Sequence, residues 1–337
     1  MTGEAGMDGN GGDMEALEPQ LSEAELKRLE RFKNRRGRRK PSVMPTDLAR
    51  TSAFAPRRRN LNTDANFSRV YSLTYHSVVE VKGRELGSQH RDVIYALFRM
   101  RAVERRVPNP NHNPNIRTIG VAEKPYLTLF QVETTWRDLL RIMNRTEHVN
   151  NLGTVLESLE QIRSVSIRVY QGGPDAFEKA LATGRIPKGR GFSDSLLGKI
   201  SWDGPKLDDR VIVEYGEWVR RVFELRHLVS LNADVYFALK SDYAKTFWPY
   251  IDSQPGHTWI DEEMLGELSG RKIKEEAPTK RRAFKQDCRQ AFDDMVRAGG
   301  LKRWWVEEQR RGRFVSLRFH YEHALPRQGE LALAAAE

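Results

Sequence analysis

Residues 279–300 read TKRRAFKQDCRQAFDDMVRAGG, and residues 301–319 continue LKRWWVEEQRRGRFVSLRF. In the first stretch Phe284, Cys288, Ala291, Phe292 and Met295 recur at spacings of 4, 3, 1 and 3, which places them on one face of a helix. Gly299-Gly300 ends that helix, and LKRWWV and FVSLRF then alternate as two strands around the turn EEQRRGR. Between residues 279 and 319 there are 12 Lys or Arg against five Asp or Glu. Arg282, Lys285 and Arg289 lie together toward the flank of the apolar face, Lys280 and Arg281 stand at its start, and Arg310, Arg311 and Arg313 sit at the hairpin tip. A solvated charged helix beside a charged hairpin would share this composition. A winged helix accounts for more of it, because its third helix enters the major groove and its wing lies over flanking backbone, so both need cations outward.

Working outward, Ser241 caps a helix that turns Tyr243, Phe247, Tyr250 and Ile251 inward, with Pro249 expected to kink or shorten it and Pro255-Gly256 to end it. HTWI, 257–260, reads as a short strand. DEEMLGELSG, 261–270, reads as a helix with an acidic first turn and Gly270 at its end. The same order occurs earlier. Ser88 caps a helix carrying Val93, Ile94, Leu97 and Phe98; YLTLF, 126–130, alternates as a strand; Thr134 or Thr135 caps a helix with Trp136, Leu139, Leu140 and Met143. A third helix bears Leu152, Val155, Leu156, Leu159 and Ile162, and SVSIRVY, 164–170, takes the period of a strand. The segment 171–195 would be the hairpin tip, presenting Lys188 and Arg190, with LLGKISW or RVIVEY as the return strand. In this copy Asn150, Asn151 and Thr154 sit at the start of the third helix, where Asn can read adenine edges; because that helix also bears Glu157 and Glu160, its first turn could instead gain backbone grip from Arg141, Arg145 and His148.

The fold class expected is therefore α+β: two tandem winged-helix domains, 60–205 and 206–325, preceded by a disordered basic tail, 1–55, and followed by a flexible tail, 326–337. The first dozen residues are Gly-rich, and KNRRGRRK, 33–40, is six-eighths basic, so this tail is either simply solvated or a DNA-backbone-touching arm. Arg57 to Arg59 form a second cluster just before the first domain. Lys plus Arg total 56 against 46 Asp plus Glu, a net charge of +10 that favours a polyanionic partner. No apolar run approaches the about 20 residues of a membrane span and the start lacks a signal peptide, so a soluble, cytoplasmic protein is expected, with no membrane partner.

Chemistry is hard to place. GRGFSDSLLGKIS separates Gly191 and Gly198 by six residues where a P-loop needs four, and Ile follows Gly198-Lys199. The eight histidines include no pair flanking a single hydrophobic residue, as a metal-dependent nicking site would need. His320-Tyr-Glu-His323 has no third ligand, Asp208-Asp209 and Asp293-Asp294 read as a loop and a helix surface, and Cys288 lies on the apolar stripe. No catalytic residue, metal site or cofactor is assigned, and the chain is read as a binding protein without enzymatic activity.

Taken together, SQHRDVIYALFRMRA, TTWRDLLRIMN with NLGTVLESLEQIRSVSIRV, LNADVYFALKSDYAKTFWPYIDSQ and KQDCRQAFDDMVRAGGLKRWWVE resemble the TrfA-like plasmid replication initiators over roughly residues 60 to 320. The resemblance implies binding to repeated plasmid-origin sites (iterons) in double-stranded DNA, melting of an adjacent AT-rich segment, and recruitment of host initiator, replicative helicase and sliding clamp. It also implies a homodimer in equilibrium with a monomer. Gln20-Leu21-Ser22 is similar to the start of a clamp-binding peptide, but Glu-Ala replaces its hydrophobic pair. Two other readings share parts of this evidence: a winged-helix transcriptional repressor without initiator activity, and a nickase or primase.

Overall fold

The computed structural model describes residues 42–50, 53–74, 77–100, 102–109, 125–171, 174–186, 191–225, 228–254, 256–311 and 314–324, all within one compact unit, Lys40–Glu337. The chain opens with strand β1 (Ser42–Pro45), helix α1 (Thr46–Arg50) and the hairpin β2 (Phe67–Thr74) and β3 (Ser77–Gly83). Helix α2 (Ser88–Arg99) leads to the hairpin β4 (Val103–Pro108) and β5 (Tyr126–Thr135), then to helices α3 (Trp136–Ile142) and α4 (Asn150–Arg163). Next come β6 (Ser166–Gln171), α5 (Pro174–Ala182), β7 (Gly191–Ser195), β8 (Leu197–Trp202), β9 (Arg210–Tyr215), α6 (Glu217–Leu225) and β10 (Leu228–Leu231). The last part runs α7 (Ala233–Ala238), α8 (Asp242–Asp252), β11 (Trp259–Asp261), α9 (Glu262–Leu268), a 3₁₀ turn (Ile273–Glu275), α10 (Pro278–Arg297), β12 (Leu301–Arg311) and β13 (Phe314–His323).

The result is a mixed α and β chain with four small antiparallel sheets among the described residues: β1-β10, β2-β3-β6-β7, β4-β5-β9-β8 and β11-β13-β12. Capping follows local chemistry. The Thr135 hydroxyl accepts the Asp138 N–H at 3.2 Å, and the Ser241 hydroxyl accepts that of Ala244 at 3.3 Å. Ser88, by contrast, is inside its helix; Gly87 is the cap, and the Ser88 hydroxyl turns back to the Ala55 carbonyl. Helix α8 continues through Pro249 and ends at Asp252, three residues later.

Four expectations change. Residues 42–50 and 53–55 belong to the fold and not to the tail: Met44, Leu48, Ala49 and Phe54 are buried, and β1 pairs with β10 from Ser42↔Leu231 to Pro45↔Leu228. The return strand beside β6 is β7, while LLGKISW and RVIVEY pair with each other and with β5. Strand β6 finds its other neighbour in β3, which pairs in turn with β2, so β5 and β6 enter different sheets. The segment after β6 is a helix, α5, whose Phe177 is buried against Tyr170. The tail motifs, including KNRRGRRK and Gln20-Leu21-Ser22, lie outside the described residues.

A polar seam crosses the core between α2 and the elements after β10. Asp92 accepts from the Lys245 ammonium at 2.8 Å and the Tyr236 hydroxyl at 3.1 Å, with Arg145 at 3.9 Å; all but Arg145 are fully buried. Arg91 donates to the Thr246 hydroxyl at 2.6 Å and to the Phe54 carbonyl, and Tyr95 stacks on Tyr236 with ring centroids 4.3 Å apart. Burying an ion pair costs several kcal/mol of desolvation, which mutual attraction offsets only when further hydrogen bonds complete the partners, as the Tyr236 hydroxyl does here.

Candidate nucleic-acid interface

Helix α10 is built from its apolar face upward. Phe284, Cys288, Ala291, Phe292 and Met295 are all fully buried. Phe292 stacks on Phe319 of β13 at 5.0 Å and Tyr243 meets Phe284 edge-on at 5.8 Å, so the helix is seated on both the sheet and α8. Burial pushes the Cys288 thiol well up, away from thiolate chemistry. Asp294, read from sequence as helix surface, is buried: its carboxylate accepts the backbone N–H groups of Lys240 at 2.7 Å and Ser241 at 2.8 Å, clamping the loop that enters α8. Its neighbour Asp293 is exposed and accepts the Trp304 indole N–H at 2.9 Å. Gly300 packs against Trp248 so closely that a Cβ there would come within 2.5 Å of the indole, which requires glycine at the turn into β12.

The cations of α10 divide into two groups. Lys285 faces the fold: its ammonium donates to the Val315 carbonyl at 3.2 Å and lies 3.4 Å from the buried Glu262 carboxylate, which also accepts the Leu317 N–H at 3.0 Å. It joins α10 to α9 and β13. Lys280, Arg282 and Arg289 are exposed, and among the described residues neither Arg282 nor Arg289 enters an ion pair. Arg281 is half-buried. Arg282 and Arg289, seven residues apart, share one outer stripe with exposed Gln286 between them. Gln286 escaped the sequence reading, which followed charge; the helical period applied to the polar face would have found it, and its amide suits an adenine edge.

The first turn of α10 has Pro278 inside it, no side-chain cap and no acidic residue. Cations there oppose the helix dipole, so this end of the helix is suited to meet an anion. The approach to it is held by Arg271, which donates to Glu276 at 2.8 Å and 2.5 Å and lies 4.6 Å over the Phe284 ring.

Beyond α10, β12 and β13 pair all the way to Arg311↔Phe314. The seven-residue turn expected from EEQRRGR is therefore mostly strand, Glu307 to Arg311 being paired with β13. Arg310 and Arg311 are thus strand residues; Arg313 lies outside the described residues.

In the first half, α4 buries Leu152, Val155, Leu159 and Ile162 as its period implies. Asn150 and Thr154 are exposed at its start, whereas the Asn151 amide donates to the Thr146 carbonyl at 2.8 Å. The nearby cations are paired. Arg137 binds Asp208 at 2.7 Å and Glu147 at 2.7 Å, Arg141 binds Glu147 at 3.2 Å and Asp138 at 3.4 Å, and Arg145 enters the seam with Asp92. Hydrogen bonds from Arg137 hold the Glu147 and Asp208 carboxyls below their ordinary range. Lys188 and Arg190 lie outside the described residues. Among the described residues no three His, Cys, Asp or Glu gather as metal ligands, and no helix is long and apolar enough to cross a membrane.

No protein-family model and no curated protein matches the sequence. Among solved structures, the chain is similar to a selenomethionine derivative of domains 2 and 3 of RctB, with a TM-score of 0.49 and 9% identity over 83% of this chain and 98% of that one. A second crystal structure of RctB domains 2-3 aligns with a TM-score of 0.47 and 10% identity over 82% and 96% of the two chains. The Pi initiator protein in complex with iteron DNA aligns with a TM-score of 0.38 and 10% identity over 57% and 81%.

Proposed function

We propose that this chain is a plasmid replication initiator that binds repeated origin sites in double-stranded DNA through two tandem winged helices, without making or breaking a bond. The observation that carries the reading is α10: a helix whose inner face is fully buried, whose outer stripe presents Arg282, Gln286 and Arg289, and which runs directly into a long hairpin. Residues 242–323 supply helix, strand, helix, helix and hairpin in the order of a winged helix, with α10 as the recognition helix. In the first half α2, β5, α3, α4 and the β8-β9 hairpin would take the corresponding places, the order β5-β9-β8 repeating β11-β13-β12, and α4 would read a neighbouring groove through Asn150 and Thr154. Distortion of an adjacent AT-rich segment would then be driven by contacts that bent DNA permits, and host initiator, helicase and clamp would be recruited to it.

The test is a titration of the full chain on candidate origin repeats and on scrambled DNA at two salt concentrations. A preference of about 10³ or more that survives the higher salt is the expected result. Equal and steeply salt-sensitive affinity for both DNAs would leave a backbone-only binder and remove the reading. A transcriptional repressor would show the same preference, and a plasmid-maintenance assay separates the two: only an initiator sustains an origin lacking its own initiator.

A further inference from the structure

Helices α4 and α10 are linked through two others. His90 of α2 meets Gln161 of α4, Nε2 and Oε1 lying 2.6 Å apart, and α10 is seated on α8 through the edge contact of Phe284 with Tyr243 and through the Asp294 clamp on the loop into α8. The two pairs meet where α2 lies against α7 and α8, and that joint is polar at its centre. Asp92 of α2 accepts from Lys245 of α8 at 2.8 Å and from the Tyr236 hydroxyl of α7 at 3.1 Å, while Arg91 donates to Thr246 of α8 at 2.6 Å. None of these five residues is more than 5% exposed. At the rim, Arg99 of α2 binds Asp234 of α7 at 2.5 Å.

Such a joint behaves differently from an apolar one. Apolar contact is non-directional, so helices packed by it alone can slide or rotate slightly at little cost. A buried charge pair cannot. Hydrogen bonds weaken steeply as they lengthen and bend, and a displaced Lys245 would leave the Asp92 carboxylate buried without its counter-charge. The same carboxylate serves both α7 and α8, and Arg145, from the segment before α4, approaches it at 3.9 Å. One side chain of α2 is thus tied to partners on both sides of the joint. Stability alone does not account for the choice of charges, since well-packed apolar replacements of a buried ion pair are often as stable or more so. What the charges add is a single favourable placement.

We propose that the joint of Asp92, Lys245 and Tyr236 sets the distance and angle between α4 and α10, and thereby fixes the spacing of the two half-sites in the DNA that this chain prefers. The spacing rests on the DNA-binding reading given above; the fixed angle does not. These are positioning residues, because all three are buried and act only through the helices they hold. One inserted base pair moves a half-site by about 3.4 Å along the duplex and about 34° around it. A rigid reader then keeps only one of its two helices in register, whereas a loosely jointed one follows the groove.

Two measurements on the full chain decide this, one of them without DNA. Spin labels at Glu160→Cys on α4 and Gln290→Cys on α10, both exposed positions, report the distance between the helices; the native Cys288 is buried and its thiol pushed well up, so it stays unlabelled. The second is affinity for a duplex that the chain itself selects from a randomised pool, against the same duplex with one base pair inserted between the half-sites. Both are repeated in Asp92→Asn/Lys245→Met, which removes the two charges and leaves the Tyr236 hydroxyl an acceptor, and whose thermal melt should stay close to the parent's. In the parent the distance distribution should be single and narrow, and the insertion should cost roughly 30-fold or more in affinity. In the double variant the distribution should broaden and the cost fall below about tenfold, with the uninterrupted duplex bound within about threefold of the parent.

A broad distribution in the parent overturns the proposal whatever the DNA result, and it does so even if the double variant fails to fold. A folded double variant that matches the parent in both width and insertion cost overturns it too, because other contacts would then hold the joint. A narrow parent distribution with no insertion cost overturns the spacing. A narrow distribution in a chain that selects no sequence from the pool would instead remove the DNA-binding reading, and the spacing with it, while the fixed angle stood.

Discussion

Helices α4 and α10 look alike in outline. Each follows a short helix, buries an apolar stripe, precedes a strand and has cations near its start. They differ in what those cations do. Around α4, Arg137, Arg141 and Arg145 are taken up by Asp208, Glu147, Asp138 and Asp92; on α10, Arg282 and Arg289 meet no carboxylate among the described residues. The lesson is that a count of basic residues is not a positive potential. Only charges left uncompensated by the fold are available to release counterions from DNA.

The comparison breaks most directly on α10 itself. Arg282→Ala/Arg289→Ala should lower affinity for the preferred DNA by roughly 100-fold and flatten the plot of log affinity against log salt by about 2, one for each lost phosphate contact. Thermal stability should hardly move, because both side chains are exposed. An unchanged slope would show that α10 does not carry the contact, and the contrast with α4 would lose its meaning.

Lys285 tests the same division from inside α10. Because it is tied to Glu262 and the Val315 carbonyl, Lys285→Ala should cost about 1 to 2 kcal/mol of stability by leaving the buried Glu262 carboxylate one partner short. Urea unfolding measures that loss, and the salt slope should stay as in the parent. A slope flattened by about 1 would place Lys285 on DNA after all. A smaller effect is expected in the opposite direction at α4: Glu147→Gln removes the acid shared by Arg137 and Arg141 and should raise affinity for scrambled DNA by about two- to threefold at low salt. No gain would mean that those arginines point away from any duplex.

Much of α10 was legible because a helix announces its buried face locally, at spacings that need no knowledge of the rest of the chain. The five residues of its stripe, the break at Gly299-Gly300 and the two strands behind it all follow from period alone. What was hidden is what depends on distant partners. Nothing near Ser42–Pro45 reveals that this strand pairs with Leu228–Leu231, and nothing near Asp294 reveals that its acceptors will be claimed by the backbone of Lys240 and Ser241. The split between Lys285 and its neighbours was hidden for the same reason: Glu262 precedes it by 23 residues and approaches only once α9 and β13 have packed. Gln286 was legible but uncharged, and a reading guided by charge passed over it.

The least of the expected effects concerns pH, and its sign follows from the carboxylates beside α4. Hydrogen bonds from Arg137 lower Glu147 and Asp208 below their ordinary values, with Arg141 adding to the effect at Glu147. A carboxyl depressed on folding contributes stability that is present above its unfolded value, about 4, and fades as pH falls through the lower folded value. Both groups are exposed, so the contribution is small and screened by salt. From about pH 5.5 to 8 both remain charged, Arg137 and Arg141 remain compensated, and the low-salt gain of Glu147→Gln over the parent should be constant. Its stability should differ from the parent's mainly at the upper end of an acid titration, the two converging as pH falls below about 4 and the parent's own carboxylate is neutralised. A gain that vanished between pH 8 and 6 would show that the carboxylates beside α4, which stay charged across that range, are not what holds Arg137 and Arg141 back from DNA.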